Sequence, residues 1–226
     1  MERIVQTLES LRNPEAVAGM ARYGINPERT YGVSIPNLRK IARESGRNHL
    51  LAQMLWDSGI HEAKILASMT AVIGELSEEQ MESWVKDFDS WDVCDQCCNN
   101  LFRKAAAAHR KAVEWSSRNE EFVKRAGFTL MACLSVHDKA ASDDVFLQYL
   151  PVIERESSDA RNYVKKAVNW ALRQIGKRNS ALNRAAIEAA EQIKQMGSKS
   201  AKWIAANALR ELTSEAVRKR LVTVTH

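Results

Sequence analysis

Apolar positions recur with helical spacing along almost the whole chain, and a turn signal interrupts them roughly every 10 to 20 residues. Several of those interruptions carry helix-start chemistry. Ser77-Glu78-Glu79-Gln80 reads as a capping box, with Ser at the N-cap and Gln three residues on. Ser142-Asp143-Asp144 puts a capping hydroxyl and two acids at another start. Tyr31-Gly32-Val33-Ser34-Ile35-Pro36 opens a further helix, capped by Ser34 and carrying Leu38, Ile41 and Ala42. Gly197 ends one helix, and Ser198 or Ser200 begins the next. Only nine Gly and four Pro punctuate 226 residues, and only Pro151 lies beyond residue 36. A β-rich fold of this length needs many more turn residues. With Ala, Leu, Glu, Lys, Arg and Gln dominant, the pattern predicts an all-α protein.

The helices repeat. Phe122-Val123-Lys124-Arg125-Ala126 matches Tyr163-Val164-Lys165-Lys166-Ala167, and Ala171-Leu172-Arg173 matches Ala208-Leu209-Arg210 with Lys165 and Lys202 also in register. Helix pairs recurring every ~40 residues predict an α-solenoid of HEAT-like repeats whose second helices line a concave, basic groove. The whole of residues 1–226 is expected to form one such domain, with an extra repeat or cap from about residue 179. The matched segments carry Arg125, Lys165, Lys166, Arg173 and Lys202 on successive helices of one type, and a column of cations there would track a phosphate backbone.

Charge supports that direction. The net charge is +5, yet residues 1–100 hold 10 Lys/Arg against 15 Asp/Glu, while residues 101–226 hold 23 against 13. A basic surface concentrated in one half points to a polyanionic partner, although cations such as Arg218, Lys219 and Arg220 simply solvate a helix. No stretch reaches the ~18 apolar residues of a membrane span, so no membrane partner is expected. The N-terminus has no apolar signal region. Four cysteines without such a signal imply a reducing compartment, and the expected location is cytoplasmic. Cys94, Cys97 and Cys98 form C-x-x-C-C, but a structural zinc needs four ligands, so these read as buried apolar residues and no metal is expected.

The nucleotide-binding, metalloprotease and hydrolase-elbow motifs are absent. His137 and Asp138 fit a helix C-terminus, and Glu62, beside His61, fits the first turn of another helix. Asp89-Ser90-Trp91-Asp92-Val93-Cys94-Asp95-Gln96 stands out. In a helix, Trp91 and Asp95 share a face, so a π-surface lies beside a carboxylate and suits a cationic group. Asp92 reads as a helix-start acid, whereas Asp95 lies further in, where the dipole helps less. Trp91 and Trp170 also fit as core anchors.

Four blocks together resemble the AlkD-like family of DNA alkylation repair glycosylases, built from HEAT-like repeats. They are Asn13-Pro14-Glu15 with Met20-Ala21-Arg22-Tyr23; Gly32-Val33-Ser34-Ile35-Pro36; Ser90-Trp91-Asp92-Val93-Cys94-Asp95; and Lys165-Lys166-Ala167-Val168-Asn169-Trp170-Ala171-Leu172-Arg173. The resemblance implies removal of N3- and N7-alkylated purines from double-stranded DNA by hydrolysis, with Asp95 as catalytic carboxylate and Trp91 and Trp170 against the lesion nucleotide. It implies Tyr23 as a helper, Arg125 and Arg173 on the DNA backbone, no cofactor, and a monomer able to hold duplex in an open groove. Ser90 stands where related proteins can carry a second Trp, and Cys133 where some carry a basic residue. Two other readings stay open. One is a non-catalytic HEAT-repeat binder of distorted or branched DNA; the other is a protein–protein scaffold.

Overall fold

The structure, a computed structural model, describes residues 1–223. The last three residues of the predicted 1–226 domain lie outside the described residues. Among the described residues all regular structure is helical. The chain divides into two compact units, Met1–Ala106 and the remainder from Ala107.

The first unit holds α1 (Glu2–Ser10), α2 (Pro14–Arg22), α3 (Ile35–Ser45), α4 (His49–Asp57), α5 (His61–Thr70), α6 (Glu78–Lys86) and α7 (Trp91–Asn100). Helix α5 is its centre: α3, α4 and α7 all pack on it, and Ala63, Ile65, Leu66 and Ala67 are buried. Helices α4 and α6 stack through Trp56 and Trp84, whose ring planes lie 2° from parallel at 4.1 Å. Burial of such rings supplies the stabilisation, roughly 1.5–3 kcal/mol for each large apolar side chain removed from water.

A recurring bond reveals the repeat in this unit. Tyr31 to Glu62, His49 to Gln80, Trp56 to Asp87 and His61 to Asp92 are all linked across 31 residues. Equivalent positions of successive helix pairs therefore lie against each other at a shorter period than the predicted ~40.

The second unit holds α8 (Ala108–Ser116), α9 (Glu121–His137), α10 (Asp143–Leu147), α11 (Tyr149–Glu156), α12 (Asn162–Gly176), α13 (Ser180–Gln195), α14 (Lys199–Leu212) and α15 (Glu215–Thr223). Here the predicted register is seen directly. The matched segments lie on α9, α12 and α14; α12 packs on both of the others, and the Phe122 and Tyr163 rings sit 5.5 Å apart. Bonds between pairs include Arg125 to Tyr163 and Arg161 to Asn119, which span 38 and 42 residues. Helices α8, α11 and α13 are the first members of these pairs, and α13 with α14 forms a full pair after residue 179. Gly127 lets α8 and α9 approach: a Cβ there would meet the Ser116 nitrogen at 2.5 Å and the Ala112 oxygen at 2.8 Å.

The local start signals act unevenly. Ser77 and Ser198 accept from the Gln80 and Ala201 amides as N-caps. Gln80 does not reach back to close the capping box; its side chain bonds Gln53 and His49 instead. Ser34 and Ser142 occupy N-cap positions without a side-chain capping bond. Cys94, Cys97, Cys98 and Cys133 are all buried and outside any disulfide. No helix among the described residues is long and apolar enough to cross a membrane.

Candidate functional site

Helix α7 begins at Trp91, so Asp95 falls one turn further along on the same face. Both residues are half-buried, and neither belongs to the fully enclosed core of the first unit. The indole N–H of Trp91 donates to the backbone carbonyl of Tyr23 at 3.1 Å. Tyr23 is the C-cap of α2 and is itself 73% exposed. One hydrogen bond thus ties the end of α2 to the start of α7 and orients the Trp91 indole on the helix face it shares with Asp95. Ser90, at the N-cap, is fully buried.

Asp92 turns the other way. Its Oδ2 lies 2.8 Å from Nε2 of His61, which opens α5. Burial disfavours the imidazolium, but the Asp92 hydrogen bond, with the charges of Asp92, Glu62 and Asp89, outweighs it and raises the His61 pKa above its ordinary value. Asp92 is therefore both a first-turn acid and the partner of a buried histidine.

Glu62 does more than favour the dipole at the start of α5. It is 1% exposed, and its carboxylate accepts from the backbone amides of Tyr31, Gly32 and Val33. Gly32 has φ +79°, and a Cβ there would run into the Asn13 carbonyl. The Gly32–Pro36 block is thus held at its glycine and by the Glu62 carboxylate before α3 begins. Nothing local in the sequence announces that role, because the acceptor lies some thirty residues from its donors.

In the second unit, Lys166, Trp170 and Arg173 recur at helical spacing along one face of α12. Trp170 is half-buried and Lys166 is exposed. The expected column of exposed cations is only partly present. Arg125 is 6% exposed and donates to the Tyr163 carbonyl at 2.6 Å, inside the packing of α9 against α12. Arg173 pairs with Glu211 of α14, which Lys177 also holds at 2.6 Å. Burial pushes the Glu211 carboxyl up, but Lys177 and Arg173 pull it below its ordinary value. Lys165 lies 5.0 Å from the Trp203 ring centroid. Of the five cations, Lys166 and Lys202 are the exposed ones. Close stacking of the second helices explains the difference, since it draws long side chains into bonds between repeats. Cys133 is buried within α9, so that position belongs to the core.

Helix pairs stacked through their second members, with a tryptophan–carboxylate pair at the start of one of them, define a HEAT-like repeat protein. The sequence pattern of the DNA alkylation repair enzyme family matches residues 4–212, and the chain belongs to that family. One solved structure, a representative of proteins related to the HEAT-like repeat DNA glycosylases with affinity for branched DNA structures, is 22% identical. It has a TM-score of 0.82, with 97% of this chain and 95% of that one covered, and it shares the fold. An engineered protein (12% identical, TM-score 0.39, covering 78% of this chain and 90% of its own) and a designed armadillo repeat protein in complex with a (KR)4 peptide (15%, 0.36, 83% and 90%) are more distant. No curated protein sequence matches the chain.

Proposed function

We propose that the protein is a DNA glycosylase that hydrolyses the N-glycosidic bond of cationic N3- or N7-alkylated purines in duplex DNA. The observation that carries this reading is the Trp91–Asp95 pair: an aromatic face, oriented by its own hydrogen bond, beside a carboxylate that is not enclosed in the core. Alkylation at N3 or N7 leaves the purine positively charged, so the base is already a good leaving group. As the C1′–N bond breaks, its electron pair neutralises the base and positive charge builds on the deoxyribose. Asp95 stabilises that charge and orients the water that adds at C1′, taking up its proton or passing it to solvent. The Trp91 ring attracts the cationic nucleotide through its π-face. Trp170, with Lys166 on the same face of α12, is assigned to contacts with the DNA. A leaving group that carries its own activating charge calls for no metal or redox cofactor.

A second reading, a DNA-binding module without catalysis that recognises distorted or branched DNA, draws support from the shared fold with a protein related to the HEAT-like repeat DNA glycosylases and described as having affinity for branched DNA structures. Methylated duplex DNA distinguishes the two. Incubation with the protein is expected to release free 3-methyladenine or 7-methylguanine, detectable by chromatography. Retention of DNA without release, at enzyme in excess over lesions, would leave the binding module.

A further inference from the structure

The first unit is the acidic half of the chain, yet it contains a concentrated basic cavity. This cavity, of about 580 Å³, is lined by Arg39, Arg43, Arg47 and Lys104, together with Pro36, Met69 and Asn100 among others. Arg39 and Arg43 are one turn apart on α3, and Arg47 continues the same four-residue spacing just past its end. Like charges at that spacing destabilise a helix, so local stability does not explain the stripe. Arg47 donates to the Ala71 carbonyl at 2.7 Å, which fixes it at the cavity without neutralising it. No ion pair to Arg39, Arg43, Arg47 or Lys104 occurs among the described residues. Partial burial first, and then the charges of Arg47 and Arg103, lower the Lys104 pKa.

We propose that this cavity seats the phosphodiester backbone of a nucleic acid. All four cations are solvent-exposed, and the cavity lining includes no acid. Exposed cations hold a single small anion weakly, whereas a polyanion gains from counterion release at every phosphate it neutralises. The cavity lies at the far end of α7 from the Trp91–Asp95 pair. Asn100 is five residues, about 7.5 Å of helix rise, beyond Asp95. That distance is on the order of two nucleotide steps along one strand. A phosphate held here would anchor the strand a short way from the nucleotide at Asp95. The inference rests on the DNA-binding part of the proposed function and adds a contact that the family resemblance did not supply.

The test measures binding of a duplex to the full chain by fluorescence anisotropy across a salt series. It compares the wild type, Arg39→Ala/Arg43→Ala, Arg39→Lys/Arg43→Lys, and Arg218→Ala/Arg220→Ala as a control for net charge. Alanine is a good helix former, so the first variant is expected to fold, which its circular dichroism checks. Loss of two phosphate contacts should make the slope of log K against log salt less negative by about 1.8, while the lysine and control variants keep the wild-type slope. A wild type that binds DNA, with an alanine variant of unchanged slope, overturns the cavity alone. A wild type that binds no DNA at low salt overturns both readings. Inorganic phosphate or ATP that competes saturably at low millimolar concentration, and loses this effect in the alanine variant, would mark a small-anion site instead.

Discussion

Glu62→Ala should unfold the first unit far more easily than its position at a helix start would suggest. The carboxylate is 1% exposed and receives three backbone amides, from Tyr31 at 3.0 Å, Gly32 at 2.6 Å and Val33 at 3.2 Å. Gly32 and Val33 are buried, so water cannot readily replace the lost acceptor, while Tyr31 is half-exposed and can be rehydrated. Each buried N–H left without a partner costs about 1–3 kcal/mol. Two of them, less the relief of no longer burying a charge, give an expected loss of about 3 kcal/mol. A domain stable by ~5–15 kcal/mol loses a large share at that level. Urea denaturation followed by tryptophan fluorescence measures the loss. Hydrogen exchange at the three amides locates it, since their protection should fall before that of α9 in the second unit. Glu62→Gln, which keeps one carbonyl oxygen for Gly32 and Val33, should cost markedly less. An alanine variant within 1 kcal/mol of wild type, or a glutamine variant as costly as alanine, would refute the hydrogen-bond argument.

Three other outcomes follow from the same geometry. Asp95→Asn should lower base release by on the order of 100-fold or more while DNA affinity holds or rises, because a carboxylate repels phosphates; single-turnover release and anisotropy measure the two. His61, whose folded pKa is raised, stabilises the first unit fully below pH ~6.5, and that contribution is lost as pH climbs through the higher folded value. Asp92→Asn should flatten this dependence in urea midpoints taken from pH 6 to 9. Gly127→Ala should cost about 1–3 kcal/mol by forcing α8 and α9 apart, read as a lowered melting temperature.

The second unit was the more legible half. Its period shows in the sequence because the second helices repeat like residues, Phe122 with Tyr163 and Leu172 with Leu209; the Phe122 and Tyr163 rings meet, and α12 packs on both α9 and α14. The first unit repeats just as regularly, but its cross-repeat bonds join unlike residues, His61 to Asp92 and Trp56 to Asp87. A self-match cannot find a repeat written in complementary chemistry. The same limit applies to charge. Arg125 looks like a surface cation in the sequence, one turn after Glu121, yet it is buried and donates to a backbone carbonyl 38 residues on. Trp91 and Asp95 were readable because both lie on one helix, where spacing alone fixes the shared face. Arg39, Arg43 and Arg47 had the same one-turn spacing, but their meaning depends on Lys104 closing the cavity from another segment.

The two carboxylates of α7 separate by what holds them. Asp92 has a side chain 16% exposed and binds His61 across the contact between α5 and α7, so its charge contributes to the folding of the first unit. Asp95, one turn beyond Trp91, is half-buried beside a ring that the Tyr23 carbonyl keeps in place. The two asparagine variants should therefore have separable effects. Asp92→Asn should shift stability and its pH dependence, with base release changing only as far as folded protein is lost. Asp95→Asn should leave the urea midpoint near wild type and remove the chemistry. Both properties falling together in the Asp95 variant would make Asp95 a structural acid, and the case for catalysis at the start of α7 would go with it.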